Sequence, residues 1–317
     1  PIVLIAEELS PATLEALGPD FEVVNCDGAN RAELLAALAK GVDAVLIRSA
    51  TKMDAEAIAA AKGLKVIARA GVGLDNIDIK AAGLKNIPVV NTPNASSRSV
   101  AELVFAHLFS LSRFLHKANR EMPTNGIDGF KEMKKVYSEG FELMGKKLGI
   151  IGFGRIGQEV AKMAIGLGME VLVYDYKQRE FDLVVSLSNA YKANNFKLTL
   201  KGQSLETVLS QSDCITLHTP GSEEVMNAEN IAMMKKGSVL INCARGGVVN
   251  EQALADALVS GHISAAGVDV FVNEPPTNDL MISQTNCSLS PHIGASTKEA
   301  QERVGIELAE RITSFFK

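Results

Sequence analysis

The sequence predicts an α/β protein with two doubly wound domains, each built on a parallel sheet. Three observations lead to this prediction. The chain has 317 residues, which is room for two domains of ordinary size. From the N-terminus onward, short apolar runs of strand length alternate with Ala- and Leu-rich helical patterns, as in sheets covered by helices on both faces. Near the middle of the chain, an apolar run leads into a glycine-rich turn that opens another helical pattern.

The composition is that of an ordinary globular protein. Hydrophobic residues make up 47% and charged residues 22% of the chain, and the net charge of −5 gives no reason to expect a nucleic-acid or membrane partner. The four cysteines lack Cys-X-X-Cys spacing, so buried free thiols are expected rather than a disulfide framework or a metal site. No secretory signal pattern begins the chain, and the cytoplasm is the expected location.

The first part of the chain predicts one parallel sheet. Strands are predicted at residues 2–6, 42–48, 65–70 and 87–90, and helices at 31–39 and 55–61. Ligands of such sheets bind beyond the carboxyl ends of the strands. At one strand end, Arg48 and Ser49 could donate to an anion. At the next, Arg69, Gly71 and Asn76 could surround a small carboxylate, although both stretches could also be ordinary polar loops.

A strand–turn–helix–strand pattern at residues 147–174 organises the second part. Its turn is Gly-Phe-Gly-Arg-Ile-Gly, residues 152–157. Gly152 permits the tight turn, Gly154 lets the backbone approach a pyrophosphate, and Gly157 lets the helix pack against the strand. The helix N-terminus then offers unpaired N–H groups to an anion. The pattern predicts a Rossmann dinucleotide-binding unit, with a plain βα turn as the alternative.

The acid that follows this pattern indicates which dinucleotide binds. Asp175 ends the second strand, where a carboxylate can accept a hydrogen bond from the adenosine ribose. Because a carboxylate would repel a 2′-phosphate, NAD is favoured over NADP. Lys177 and Arg179 lie just beyond Asp175 and keep NADP as the alternative.

The other elements of the second part vary in clarity. Residues 100–115 predict an apolar helix that is buried or lies in an interface. Residues 117–146 predict a loop-rich passage, because they include Pro123, Gly126, Gly129 and Gly140. Residues 181–185 predict a strand, whereas 186–200 carry no pattern that can be assigned. Strands at 214–217, 239–242 and 265–270 and a helix at 251–258 complete the set.

The last helix is predicted to begin with a capping box formed by Ser296 and Glu299. Because the two ends of a domain often lie close together, we expect this helix to return to the first domain. The predicted organisation is therefore a Rossmann domain at 96–285 inserted into a discontinuous domain at 1–95 plus 286–317.

Three polar residues of the second half are candidates for chemistry. Arg245 precedes two glycines, Glu274 precedes two prolines, and His292 lies in a Ser-Pro-His-Ile-Gly run. Each follows a predicted strand or turn. Taken singly they mean little, because a lone histidine is more often a structural hydrogen-bonding residue.

Taken together, the motifs resemble one family. They are, in chain order, the runs at 69–78, 152–157, 218–220, 242–247, 269–276 and 291–297. This series is similar to that of the NAD-dependent D-2-hydroxyacid dehydrogenases and covers nearly the whole chain. Within the family, the run at 47–52 and the Asn-Cys-Ala-Arg-Gly-Gly run make the chain most similar to D-3-phosphoglycerate dehydrogenases. The resemblance implies that the discontinuous domain is flavodoxin-like and binds the substrate.

The resemblance also implies roles for individual residues. His292 is expected to be the acid/base, Glu274 its partner and Arg245 the substrate anchor. The chemistry agrees, since imidazole exchanges a proton near neutral pH and a guanidinium holds a carboxylate bidentately. The expected NAD-binding residues are Val72, Gly152, Gly154, Arg155, Ile156, Gly157, Asp175, His218, Thr219, Pro220, Cys243, Ala244, Asp269, Gly294 and Ala295. The expected substrate-binding residues are Arg48, Ser49, Arg69, Gly71 and Asn76.

The expected reaction is oxidation of D-3-phosphoglycerate to 3-phosphohydroxypyruvate, the entry to serine synthesis. A glyoxylate or hydroxypyruvate reductase is the alternative enzyme, and an NAD-binding corepressor is an alternative of another class. A homodimer or larger homo-oligomer is expected, with the helix at 100–115 as the dimerisation candidate. Since the chain ends soon after its last helix, a C-terminal regulatory extension and serine inhibition through it are not expected.

Overall fold

The computed structural model describes residues 1–177, 180–185, 195–221 and 223–317. Its contacts divide the chain into two compact units. The first unit contains Pro1–Ser99 and Ala295–Lys317, and the second contains Val100–Gly294.

The elements follow one another as strand and helix through most of the chain. The first unit contains β1 (Ile2–Ile5), α1 (Pro11–Leu17), β2 (Glu22–Asn25), α2 (Arg31–Ala39), β3 (Ala44–Ile47), α3 (Ala55–Ala60), β4 (Val66–Arg69), α4 (Ile79–Leu84) and β5 (Val89–Asn91). Next come α5 (Ser97–Ser112), α6 (Leu115–Asn125), α7 (Phe130–Val136), β6 (Lys147–Ile151), α8 (Arg155–Gly166), β7 (Glu170–Tyr174), β8 (Glu180–Val185) and β9 (Phe196–Lys201). The chain ends with α9 (Leu205–Gln211), β10 (Cys214–Leu217), α10 (Ala228–Met233), β11 (Ser238–Asn242), α11 (Glu251–Val259), β12 (Ile263–Val268), β13 (Cys287–Leu289) and α12 (Lys298–Phe316).

The first unit is a five-stranded parallel sheet covered on both faces. Its strand order is β2-β1-β3-β4-β5, the order of flavodoxin-like folds. Successive residues of β1 point to opposite faces: Leu4 packs with Leu34 of α2, while Val3 packs with Leu308 of α12. The last helix therefore contributes to the core of the unit in which the chain begins.

The second unit holds a six-stranded parallel sheet of order β13-β12-β11-β10-β6-β7. The order reverses between β6 and β10, and ligands of such sheets bind outside the carboxyl ends of strands at this switch point. Helices α5 and α8 pack on one face, through residues such as Val104 and Val160, and α9 to α11 pack on the other, through residues such as Val208 and Leu254. The predicted α/β class with parallel sheets is confirmed.

The predicted second boundary, after residue 285, is wrong by one strand. The strand β13 pairs in parallel with β12 and so belongs to the sheet of the second unit. It has three residues, Cys287–Leu289, which is too short to give a periodic pattern in the sequence. The predicted capping box is also wrong, because the cap of α12 is Thr297, whose side chain accepts from the N–H of Ala300.

Most apolar residues of α5 are covered by the protein's own core. Val104, Leu108 and Leu111 are buried in the core of the second unit. Phe109 of the same helix is 42% exposed, and a dimerisation role for α5 stays a prediction.

The passage after α5 is helical, so the prediction of a loop-rich segment is wrong. Pro123 lies in the last turn of α6, and Gly126 and Gly129 lie between α6 and α7. The breaker residues thus mark helix ends rather than a continuous loop. The helices gave little periodic signal because α6 has no buried residue and α7 buries Met133 alone.

An antiparallel hairpin of β8 and β9 follows the second strand of the Rossmann pattern. The predicted strand at 181–185 is confirmed, and the end of the unassigned stretch forms β9. Residues 186–194 lie outside the described part of the chain, as does Arg179. Along β8, Phe181, Leu183 and Val185 are buried. They pack into the same core as α5 and α8.

Two further findings concern possible membrane and metal contacts. No helix in the described ranges is long and apolar enough to cross a membrane. The His, Cys, Asp and Glu side chains of the same ranges do not gather into a group of three that could hold a metal ion. All four cysteines are free thiols; Cys26 is half-buried and the other three are buried.

Candidate active site

The glycine-rich turn between β6 and α8 fits a dinucleotide pyrophosphate. Gly152 has a φ of +91°, and a Cβ there would lie 2.6 Å from the carbonyl oxygen of His218. A Cβ on Gly157 would lie 2.4 Å from the carbonyl oxygen of Gly152. In contrast, a Cβ on Gly154 would meet no described atom within 4 Å. The turn is therefore closed where backbone and helix pack, and open where a phosphate would approach.

The start of α8 is available to an anion. Gly154 is the N-cap residue and supplies no capping side chain, so in the described protein the first-turn N–H groups have no side-chain acceptor at this position. Arg155 is exposed and Ile156 half-buried in this first turn. Unpaired N–H groups and the helix dipole together favour a bound phosphate.

Asp175 is fixed against this turn. Its Oδ2 accepts from the N–H of Phe153, in the glycine-rich turn, at 2.9 Å, and its Oδ1 accepts from the N–H of Lys177 at 2.9 Å. These bonds hold the carboxylate at the end of β7. Each oxygen keeps a further lone pair that a ribose hydroxyl could use.

The end of β10 supplies two buried polar atoms that lack a partner among the described residues. They are Nδ1 of His218 and Oγ1 of Thr219, while Nε2 of His218 pairs with Oγ1 of Thr216 at 3.0 Å. Burial lowers the pKa of His218 to about 3, so its ring is neutral. Buried polar atoms normally have a partner. A polar ligand lying beside Gly152 would supply one, which supports the fit of a dinucleotide here; Pro220 follows and is exposed.

His292 and Glu274 form a close pair in the second unit. Nδ1 of His292 lies 2.6 Å from Oε2 of Glu274, and the two side chains are 47% and 37% exposed. Because a carboxylate can only accept, Nδ1 carries the proton. Oε1 of Glu274 accepts from the N–H of Phe271 at 3.1 Å, which fixes the carboxylate. The arrangement leaves Nε2 as the ring atom that faces away from the pair.

Asp269 holds the backbone on which His292 is carried. Its carbonyl accepts from the N–H of His292 at 2.7 Å. Its carboxylate accepts from the N–H groups of Ile293 and Gly294, each at 2.9 Å. His292 has a φ of +52°, which residues with a side chain rarely adopt, so these bonds stabilise an unfavourable conformation. A Cβ on Gly294 would lie 3.1 Å from Oδ2 of Asp269.

Arg245 lies on a loop that Asn242 organises at the end of β11. The side chain of Asn242 donates to the carbonyl of Arg245 at 3.0 Å and accepts from the N–H of Ala244 at 3.1 Å. Nη1 of Arg245 donates to the carbonyl of Ala244 at 2.7 Å. Cys243 and Ala244 are buried, and burial raises the pKa of the Cys243 thiol well above its ordinary value.

The Arg245 loop touches the loop that carries Glu274. A Cβ on Gly246 would fall on the carbonyl of Phe271, so the two backbones are in direct contact. Phe271 is also the residue whose N–H holds Glu274. The structure thus brings the ends of β11, β12 and β13 together around Arg245, Glu274 and His292.

The candidate substrate residues of the first unit also form a network. Asn76 donates from Nδ2 to the carbonyls of Arg48 and Thr51, both at 2.6 Å, and accepts from Nε of Arg69 at 3.1 Å. The amide of Asn76 thereby ties the loop after β3 to the side chain of Arg69, which belongs to β4. Asn76 thus links two strand ends of the first unit.

Gly71 turns the chain after β4. It has a φ of +140° and donates to Oγ1 of Thr92 at 2.8 Å. A Cβ on Gly71 would lie 2.6 Å from Nη1 of Arg69, so glycine leaves room for that guanidinium. Ser49 and Val72 are exposed, and Ala295, the first residue of the unit's second segment, is half-buried.

Glu7 was not found by sequence reasoning. Its carboxylate accepts from the N–H groups of Arg48 and Thr51, each at 2.8 Å, and of Ala50 at 3.2 Å. The backbone donors of the loop after β3 are therefore satisfied by a protein carboxylate. The signal in the sequence that could have indicated this residue was an acidic side chain two positions after β1. Asn242, inside the quoted Asn-Cys-Ala-Arg run, was likewise missed as an organising residue.

Comparison with known proteins identifies the family. A sequence model of the D-isomer specific 2-hydroxyacid dehydrogenases, NAD-binding domain, matches residues 105–294, which is more than half of the chain. The chain belongs to this family. The second unit contains its NAD-binding domain.

Individual relatives differ in the activity that their names give. A hydroxypyruvate reductase from Thermotoga maritima is 46% identical over 277 residues, covering 86% of this chain and 84% of that protein. A D-3-phosphoglycerate dehydrogenase from Mycobacterium bovis is 40% identical over 315 residues, covering 98% of this chain and 56% of that protein. This chain therefore spans little more than half the length of that second relative.

A solved structure shows the same fold with a bound cofactor. The NAD-dependent formate dehydrogenase from Staphylococcus aureus in complex with NAD gives a TM-score of 0.78 at 28% identity, covering 100% of this chain and 95% of that chain. Since named reductases, dehydrogenases and a formate dehydrogenase share this fold, the fold alone does not decide the substrate.

Proposed function

We propose that the chain oxidises D-3-phosphoglycerate to 3-phosphohydroxypyruvate with NAD, the first step of serine synthesis, and catalyses the reverse reduction. The observation that carries the reaction class is the 2.6 Å pair of His292 and Glu274 at the carboxyl edge of an NAD-binding sheet. A secondary alcohol loses a hydride and a proton when it is oxidised, and an imidazole held by a carboxylate is suited to take the proton.

The residues of the second unit have separate roles in the proposed reaction. NAD, when bound, supplies the hydride acceptor. Nε2 of His292 takes the hydroxyl proton during oxidation and returns it during reduction, because Glu274 keeps the other ring nitrogen protonated. The carboxylate of Glu274 lies beside the ring that carries the proton. Arg245 holds the substrate carboxylate and so fixes the carbon that exchanges hydride.

The cofactor residues of the proposal lie around the switch point. Gly152, Gly154 and Gly157 with the first turn of α8 hold the pyrophosphate, and Asp175 holds the adenosine ribose. His218, Thr219, Cys243 and Asp269 lie at the ends of β10, β11 and β12, along the same edge of the sheet.

Two arginines of the first unit support a phosphorylated substrate. Asn76 bonds to the backbone carbonyl of Arg48 and to Nε of Arg69, so it links the loop of one arginine to the side chain of the other. Guanidinium groups are suited to binding a phosphate. A reductase of hydroxypyruvate or glyoxylate is the second candidate, supported by the 46% identical relative and by Glu7, whose negative charge lies against the Arg48 loop. A corepressor role and a homodimer remain further predictions.

Parallel assays distinguish these candidates. NADH oxidation is measured with 3-phosphohydroxypyruvate, hydroxypyruvate and glyoxylate at equal concentrations. We expect the largest kcat/KM with the phosphorylated acid, and we expect Arg48→Ala to lose that preference selectively. Lys62→Ala, which removes an exposed charge from the same unit, is the matched control. A larger kcat/KM with hydroxypyruvate would identify the chain as a reductase. If none of the three acids is reduced, a binding role is favoured instead.

A further inference from the structure

A buried histidine outside the proposed mechanism lies behind the active site of the second unit. His107 of α5 is 4% exposed, and both ring nitrogens are bonded. Nδ1 lies 2.9 Å from Oγ of Ser288 and Nε2 lies 3.0 Å from Oγ of Ser290. A Cβ on Gly267 of β12 would lie 2.8 Å from Cβ of His107, so glycine at that position makes room for the histidine.

The hydrogen bonds of this cluster have one consistent direction. Ser290 donates from Oγ to Oδ1 of Asp269 at 2.6 Å, because a carboxylate can only accept. A hydroxyl has one proton, so Ser290 must accept from Nε2–H of His107. The neutral ring then accepts at Nδ1 from the hydroxyl of Ser288. Burial lowers the pKa of His107, in agreement with a neutral ring.

The chain of bonds ends on the residue that carries the His292 backbone. Oδ1 of Asp269 accepts from Ser290 and also from the N–H of Ile293, and Oδ2 accepts from the N–H of Gly294. Rotation of this carboxylate would release the backbone bonds that follow His292. Because His292 has a φ of +52°, its conformation depends on such bonds more than that of an ordinary loop residue.

We propose that His107 is a positioning residue for His292, acting through Ser290 and Asp269. This inference rests on the proposed role of His292 as the acid/base. Glu274 fixes the ring of His292 from one side, while Ser290 and His107 orient the carboxylate of Asp269, which fixes the backbone from the other. Loss of the His107 link lets the His292 loop vary in position, and a misplacement of about 1 Å can cost up to about 100-fold in rate.

The central experiment compares His107→Leu and Ser290→Ala with the wild-type chain. Both variants should lower kcat for reduction by about 10- to 100-fold, while the KM of the oxo acid and the Kd of NADH change less than about twofold. Ser288→Ala is the matched control, because it removes the bond to Nδ1 and leaves the link from Nε2 to Ser290. His107→Gln should recover much of the activity, because its amide NH₂ can donate toward Ser290.

The split between kcat and KM separates positioning from a purely structural role. A structural defect lowers the amount of folded enzyme, whereas loss of positioning lowers kcat in the folded protein and leaves the KM of the oxo acid nearly unchanged. Thermal unfolding of each variant identifies a loss of fold, and Ser290→Ala, the smaller change, keeps the test possible if His107→Leu does not fold.

His292→Asn makes the two proposals distinguishable. If this variant retains full turnover, the proposed mechanism itself is wrong. If it loses turnover while folded His107→Leu and Ser290→Ala keep the wild-type kcat, only the positioning role is overturned. A double variant His107→Leu/Ser290→Ala that is no worse than the worse single variant supports one shared pathway, whereas full additivity contradicts it.

Discussion

At the scale of the residue, the site depends on hydrogen bonds that each orient one polar group. Glu274 fixes the ring of His292 at 2.6 Å, and Asp269 fixes the backbone on both sides of it. Asn242 does the same for the loop of Arg245. The reactive side chains are therefore exposed enough to meet a substrate. The side chains that orient them are themselves held by hydrogen bonds to backbone groups.

Replacement of His292 by Asn tests the reacting side chain. We expect the rate of NADH oxidation to fall by about 10²- to 10⁴-fold, the usual contribution of a general acid/base, because Asn cannot exchange a proton near neutral pH. The Kd of NADH should change little. His262→Asn is the control, since His262 bonds to the carbonyl of Ile231, away from these loops. A rate within threefold of wild type would assign the proton transfer to another group.

At the scale of the element, the sequence predicted units with strong patterns and missed those with weak ones. The β6–α8–β7 unit was predicted because buried strands, glycine spacing and a terminal acid agree with one another. Helix α6 was missed because it has no buried residue and contains Pro123. Strand β9 was missed although Phe196–Lys201 alternates apolar and polar residues, with Leu198 and Leu200 half-buried against the core.

The site was predicted to a similar extent and for similar reasons. Arg245, Glu274 and His292 lie in motifs, so the resemblance found them. Glu7, Ser290 and His107 act through contacts between residues distant in sequence, which one sequence does not reveal. The bonds of the Asn76 amide to two backbone carbonyls and to Arg69 could not be predicted from the sequence either.

The hairpin of β8 and β9 yields a prediction about the cofactor turn. Phe181 is 4% exposed and packs edge-on against Phe153, with ring centroids 4.7 Å apart. The N–H of Phe153 holds Asp175. Phe181→Ala should therefore lower the free energy of unfolding by about 3 kcal/mol and weaken NADH binding, with kcat at saturating NADH nearly unchanged.

Val184→Ala is the control for this prediction. Val184 lies on the same strand and is 46% exposed, so its truncation should change neither stability nor binding appreciably. Urea unfolding followed by circular dichroism and titration of NADH fluorescence give the two quantities. Unaltered NADH affinity in a destabilised Phe181→Ala protein would show that the hairpin stabilises the core without supporting the cofactor turn.

At the scale of the whole molecule, a ligand that binds only the native state stabilises it by mass action. At 100 times its Kd, such a ligand adds about 2.7 kcal/mol to the free energy of unfolding. Asp175 is fixed at the end of β7 with both oxygens toward backbone N–H groups, and its negative charge opposes a 2′-phosphate. At equal concentrations, NAD should therefore raise the thermal midpoint more than NADP does.

Asp175→Ala should remove the preference for NAD over NADP, because it weakens the binding of NAD and relieves the repulsion of the 2′-phosphate of NADP. Asp182→Asn, which removes an exposed carboxylate from β8, should leave the discrimination unchanged. Differential scanning fluorimetry with each dinucleotide, checked by calorimetric titration, provides the measurement. An equal or larger shift with NADP in the wild-type chain would mean that cations beyond Asp175, such as Lys177, outweigh its carboxylate at the adenosine end.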